Sequence, residues 1–240
     1  MIDETVPFMC QPVTAAQPAG PRLFIFGCAR SGTTLLLHLF RTFDGTTVWD
    51  EDHCLSTLIE HPSQGWVVAK RTPRCADHLI ADVPRFRPVW IVNILRDPRD
   101  VVTSRLQLRP HAPQGYYCDF SRWQRDVEVG QAIQGLHLRL LQLRYERLVA
   151  EPDAVQQDLA AILDLSASAR FSDFPRTLPG DLSPFTLNWL GRPRPLDARG
   201  VGRWRGQAED RHRVAGQLAT YPQMESLLRH HGYAATDPVD

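Results

Sequence analysis

The chain has 240 residues, 43% hydrophobic and 22% charged, which suits one soluble globular domain with a substantial core. Lys+Arg and Asp+Glu each number 27, so no global field draws the chain to nucleic acid or anionic lipid. No run approaches the roughly 20 apolar residues of a membrane span, and the acidic, then Pro/Ala-rich residues 1–20 lack a signal-peptide pattern, so they read as a flexible N-terminal segment of a cytoplasmic protein.

Strand-like apolar runs fall at 23–26, 46–49, 66–69, 89–95 and 140–145. Helical patterns fall at 33–43, 74–82, 99–106, 119–134, 154–163 and 211–231. Strands alternating with helices predict an α/β fold: a single domain with a central, mostly parallel sheet flanked by helices. Residues 166–206, rich in Pro, Arg, Ser and Gly, read as a loop covering a ligand rather than as a domain linker. The five cysteines (10, 28, 54, 75 and 118) are odd in number and show no C-x-x-C pair, which favours reduced thiols over a disulfide or zinc framework.

The first run leads into Gly27-Cys28-Ala29-Arg30-Ser31-Gly32-Thr33-Thr34, a small-residue turn followed by a helix that opens with hydroxyls. A strand, such a turn and a helix N-terminus together make a cradle for phosphate. A nucleotide triphosphatase places lysine directly after the second glycine of this loop. Thr33 stands there, and the loop's one cation, Arg30, lies on the opposite limb, which argues against ATP or GTP hydrolysis.

The run at 89–95 ends in Arg96-Asp97-Pro98-Arg99-Asp100, where Pro98 and its acidic neighbours start a helix that carries Ser104. Ligands of open parallel sheets bind outside the strands' carboxyl ends. The two motifs therefore predict one ligand with two separated phosphate groups.

Together these segments resemble the sulfotransferases that use 3′-phosphoadenosine 5′-phosphosulfate (PAPS). Residues 27–34 resemble the family's 5′-phosphosulfate loop, and residues 96–104 its 3′-phosphate motif, with the serine eight positions after the arginine. The loop arginine is similar to the bacterial, carbohydrate and tyrosylprotein branches, whereas cytosolic members carry lysine there. Leu143-Arg144-Tyr145-Glu146-Arg147 and the later Glu151-Pro152 are similar to a strand and turn of the family, and Arg199-Gly200-Val201-Gly202-Arg203-Trp204 to its nucleotide-closing loop.

The resemblance spans residues 22 to about 235 and implies a sulfotransferase domain over 21–235. It implies PAPS as co-substrate, bound by the backbone and hydroxyls of Gly27 to Thr34, by Arg96 and Ser104 at the 3′-phosphate, and by Tyr145, Arg199, Gly200, Arg203 and Trp204. Arg30 becomes the cation on the leaving phosphate, and no metal is required. The cytosolic branch ends a strand in Lys-Thr-His with a catalytic histidine, whereas here the strand ends in Lys70-Arg71-Thr72-Pro73. Lys70 would face the sulfuryl oxygens. The base is then sought in Asp50-Glu51-Asp52-His53: tyrosylprotein and heparan-type members place a glutamate after their second strand, so Glu51 comes first and His53 second. The acceptor is a small molecule, glycan or peptide with a hydroxyl. Two other readings stay open: a P-loop kinase-like enzyme, and a non-catalytic module that binds PAPS or the bisphosphate.

Overall fold

The computed structural model describes residues 17–71, 79–81, 83, 88–105, 115–136, 139–174, 176–180, 182, 184–190 and 194–233, without the side chains of 50–53, 71, 184, 185 and 188. Five strands, β1 (Arg22–Phe26), β2 (Thr46–His53), β3 (Trp66–Arg71), β4 (Trp90–Leu95) and β5 (Leu140–Arg144), form a sheet in the order β2-β3-β1-β4-β5. Every pairing is parallel. The central strand β1 has β3 on one side and β4 on the other, so the strand order reverses there and opens a crevice at its carboxyl end.

All five residues of β1 are buried, because successive side chains point to opposite faces and helices cover both. Leu23 and Ile25 pack with α1 (Thr33–Leu39), α5 (Tyr145–Ala150) and α6 (Pro152–Leu163). Phe24 and Phe26 pack on the other face with α2 (Leu55–Ile59) and α4 (Phe120–Leu136). Truncating either phenylalanine to alanine costs about 3–5 kcal/mol. A third cluster, behind the carboxyl edge, joins α3 (Pro98–Val102) and α4 to α8 (Ala208–Thr220) and α9 (Met224–His230) around Trp123, Trp204 and Met224.

Arg22 is fully buried at the start of β1, one residue ahead of the predicted strand. Its guanidinium donates to the carbonyls of Leu58, Gly65 and Ser63 at 3.1, 3.2 and 2.8 Å, and also to those of Pro21 and His61, and so fastens the turn between α2 and β3 to the sheet.

Several element boundaries differ from expectation. The helix after β4 ends at Val102, where the Thr103 hydroxyl turns back to the Arg99 carbonyl at 2.7 Å, so Ser104 follows the helix rather than riding on it. Tyr145 begins a helix instead of ending a strand. The last helical pattern is two helices, broken at Pro222, whose ring cannot continue α8. β2 reaches His53 through a register shift between Val48 and Asp52. The expected helix at 74–82 lies mostly outside the described residues, which hold helix at 79–81. Cys54 is disulfide-bonded, against the expectation of reduced thiols; Cys28 and Cys118 are free. Among the described residues no helix is long and apolar enough to cross a membrane.

Candidate active site

The sheet register decides what meets at the carboxyl edge. Ile25 pairs with Lys70 and Phe26 with Asn93, so the turn after β1, Lys70 and Arg96 emerge side by side. Asp52 pairs with Lys70, which brings the backbone of Glu51 and His53 to the same edge. One cleft is lined by Arg30, Lys70, Arg96, Ser104 and Tyr145, with Gly27, Ala29, Gly32, Thr33 and Thr34 of the turn. Lys70, Arg96 and Ser104 are only 5%, 8% and 6% exposed.

The turn fits under tight steric limits. A Cβ on Gly27 would lie 2.4 Å from the Ile94 carbonyl oxygen. Gly32 has φ 96° and would meet the Tyr145 ring at 2.6 Å. Arg30 itself sits at φ 71°, a left-handed conformation rare outside glycine. Such strain persists where surrounding structure over-determines it, and it clusters at functional sites.

Arg30 Nε donates to Ser104 Oγ at 2.9 Å, and Nη1 to the Trp189 carbonyl at 3.2 Å. Arg96 Nη1 donates to the Arg30 carbonyl at 2.9 Å, and Nη2 to the Gly200 carbonyl at 3.3 Å. The Arg96 guanidinium lies 4.1 Å from the Tyr145 ring centroid. Among the described residues neither guanidinium pairs with a carboxylate. Burial, and then the charge of Arg96, lower the pKa of Arg30. Two buried guanidinium groups in one cleft suit a multiply charged anion.

The segment after α7 (Pro184–Leu190) is strapped over this cleft. Asp100, fully buried in α3, accepts from the N–H groups of Gly202 at 2.7 Å and Trp204 at 3.2 Å. The Trp204 ring lies 4.8 Å from the Arg99 guanidinium and 4.5 Å from that of Arg205. Arg99 is buried and forks onto Asp97 Oδ1 and Oδ2.

The anticipated residues divide accordingly. Gly200 and Arg203 line the cleft. The Arg199 side chain is 85% exposed and pairs with Asp197, away from the other cations. Trp204 is a core residue of the third cluster and does not line the cleft. Ser31 and Cys28 lie buried beneath the turn; the Cys28 thiol interacts with Cys118 and, by that contact and by burial, has its pKa raised well above normal. Such a thiol is inert rather than nucleophilic. The side chains of Glu51 and His53 lie outside those described. Sequence reasoning missed Asp100, which read only as an acidic helix start, and Trp189, which no motif marks. It also missed the apolar wall of Val149, Phe174, Leu190 and Leu196 on the cleft's flank.

The model of the family described as "Sulfotransferase family" matches residues 60–169. None of the curated proteins compared matches the chain. Among solved structures, the sulfotransferase domain of the Synechococcus PCC 7002 olefin synthase is similar at a TM-score of 0.60 with 20% identity, covering 87% of this chain and 97% of that domain. The sulfotransferase domain from the curacin biosynthetic pathway is similar at 0.53 with 16% identity, covering 85% and 99%. At such identities these likenesses speak for the fold. The family model spans β3, β4, β5 and the helices between and after them, and the chain folds as sulfotransferase domains do.

Proposed function

We propose that the chain transfers the sulfuryl group of PAPS to an acceptor hydroxyl, releasing adenosine 3′,5′-bisphosphate and a sulfate ester. One observation carries this reading: Arg30 and Arg96, from motifs 66 positions apart, share one cleft and are joined by a 2.9 Å hydrogen bond. The residues present fit a nucleotide with two anionic ends. Arg96 Nε is buried with no hydrogen-bond partner, so the Arg96 end of the cleft holds an unsatisfied polar atom.

On this reading Arg96 and Ser104 hold the 3′-phosphate, and the N–H groups and hydroxyls of Thr33 and Thr34 hold the 5′-phosphosulfate. The apolar wall suits the adenine. Gly200 and Arg203 close over the nucleotide, and residues 166–206 form the cover of a domain spanning 21–235. Glu51, or failing it His53, removes the acceptor proton. The acceptor oxygen bonds to sulfur as the bond from sulfur to the 5′-phosphate oxygen breaks, and the electron pair leaves on that phosphate. Arg30 meets the charge developing there, and Lys70 meets the sulfuryl oxygens. The loop cations take the place of the magnesium that a triphosphate needs.

Calorimetric titration with adenosine 3′,5′-bisphosphate and with AMP, followed by transfer of labelled sulfate from PAPS, tests the reading. The bisphosphate is expected to bind much more tightly than AMP, and label to leave PAPS in step with bisphosphate release. Equal binding of the two nucleotides, or magnesium-dependent ATP turnover, would overturn it.

A further inference from the structure

The strand order lays the candidate groups out along a line. Arg96 and Ser104 stand beyond β4, Arg30 at β1 and Lys70 at β3. In-line displacement puts the leaving oxygen and the entering oxygen on opposite sides of sulfur. If Arg30 stands at the leaving oxygen, the acceptor enters from the Lys70 side.

The side chain beside both Arg30 and Lys70, where sulfur would change partners, is Trp189. Its ring centroid is 5.9 Å from the Arg30 guanidinium carbon and 5.9 Å from Lys70 Nζ, so the indole spans the two cations. Its carbonyl accepts from Arg30, which fixes α7 to the turn. Tyr117 stands perpendicular to the indole at 88° with centroids 5.1 Å apart, and keeps the ring from rotating. Charge points the same way. The cleft is lined by Arg30, Lys70, Arg96, Arg194 and Arg203, against the single carboxylate of Asp197 among the described side chains. A cationic acceptor is repelled there.

We propose that Trp189 is the acceptor-positioning residue, and that it selects an acceptor without positive charge whose hydroxyl sits on a flat unsaturated group lying against the indole. This rests on the sulfotransfer reading above and assigns the acceptor half of that same site. Arg30 holds the donor end through Ser104 and the acceptor wall through the Trp189 carbonyl, so one side chain sets the register between the two halves.

The test compares 2-naphthol with decahydro-2-naphthol, which has the same skeleton without the flat ring, in the full chain and in Trp189→Leu, Trp189→Phe and Tyr117→Leu. Wild type is expected to sulfate 2-naphthol from PAPS and to use the saturated alcohol at least tenfold less well. Trp189→Leu is expected to raise the 2-naphthol KM about tenfold, the scale of one lost ring contact with its buried area. The KM for PAPS should change less than about twofold, and Trp189→Phe should stay within about threefold of wild type. Tyr117→Leu, which removes only the edge support, should raise the 2-naphthol KM about threefold. An unchanged 2-naphthol KM in Trp189→Leu, a parallel rise in the PAPS KM, or equal use of the saturated alcohol would overturn the proposal. So would a wild-type chain that binds the bisphosphate yet sulfates no flat probe, a result that leaves the donor reading standing. Loss of bisphosphate binding itself would instead strike the donor reading.

Discussion

The Asp100 carboxylate in α3 accepts the Gly202 N–H at 2.7 Å, and this bond ties the strap after α7 to the helix that follows the arginine of β4. Because Arg96 also reaches the Gly200 carbonyl, the strap and the proposed phosphate clamp are one unit. Asp100→Ala strips two N–H groups of a charged acceptor, each such bond being worth about 1.5–3 kcal/mol. Bisphosphate affinity is expected to fall about tenfold to a hundredfold, read by calorimetry. Unchanged affinity would separate strap from clamp.

The pH dependence of Asp100 has two signs. Burial raises its pKa above the ordinary carboxylate value, so the folded chain holds the proton more tightly than the unfolded one. Stability relative to Asp100→Asn is therefore greatest below the ordinary value of about 4 and declines as pH rises through the raised pKa. Strap closure runs the opposite way, since the ionised carboxylate is the stronger acceptor for Gly202 and Trp204. Bisphosphate affinity relative to Asp100→Asn is expected to rise over that same interval. Denaturant midpoints and calorimetry across pH 3–7 read the two trends; parallel trends would refute the assignment.

Arg96 has a geometric role as well as a charge, because its planar fork spans the Arg30 and Gly200 carbonyls. Arg96→Lys keeps the charge and loses the fork. It is expected to weaken the bisphosphate about tenfold while AMP binding changes far less, so the ratio of the two affinities is the readout. Ser104→Ala should lower the same ratio, and should also free the Arg30 side chain from its 2.9 Å bond.

How much of this was legible in the sequence follows from whether the signal is local. The cradle and the arginine after β4 are contiguous motifs at strand ends, so their adjacency follows once the strands are parallel and neighbours. The burial of β1 follows from its unbroken apolar run. Asp100 was not legible, because its partners lie more than 100 positions downstream and its neighbours already explain an acid there as a helix start. Trp189 belongs to a short helix with no periodic signature, brought to the cleft by Arg30. Residues 199–204 stood out as one motif, but they diverge: Gly200 and Arg203 face the cleft, Arg199 faces solvent and Trp204 fills the core.

Gly32 is a second point, beside Gly27, where the turn has no room for a side chain. Its φ of 96° disfavours any side chain by about 1–2 kcal/mol. An added methyl would also press on Tyr145 Cδ2, whose ring supports Arg96. Gly32→Ala is expected to lower the Tm by roughly 2–8 °C and to weaken bisphosphate binding. Gly135→Ala, in α4 with open space around it, should be neutral or stabilising, since alanine is the better helix former. Equal effects at the two glycines would remove the steric argument.

The base is assigned by kinetics. Glu51 and His53 share the carboxyl end of β2, which is paired with the end of β3 that carries Lys70. Both belong to one strand end, so register alone does not choose between them. A general base contributes about 10²–10⁴-fold to turnover and little to nucleotide affinity. Glu51→Gln is therefore expected to lower kcat by at least about a hundredfold with the PAPS KM within about threefold, and His53→Gln to lower kcat less than tenfold. The opposite ranking would move the proton to the imidazole. Lys70→Met should also lower kcat more than it weakens the bisphosphate, because the bisphosphate lacks the sulfuryl group that Lys70 is proposed to face. If bisphosphate affinity falls as far as kcat, Lys70 is holding the nucleotide phosphates, and the line of groups along the sheet edge must be redrawn with the sulfuryl group nearer β2.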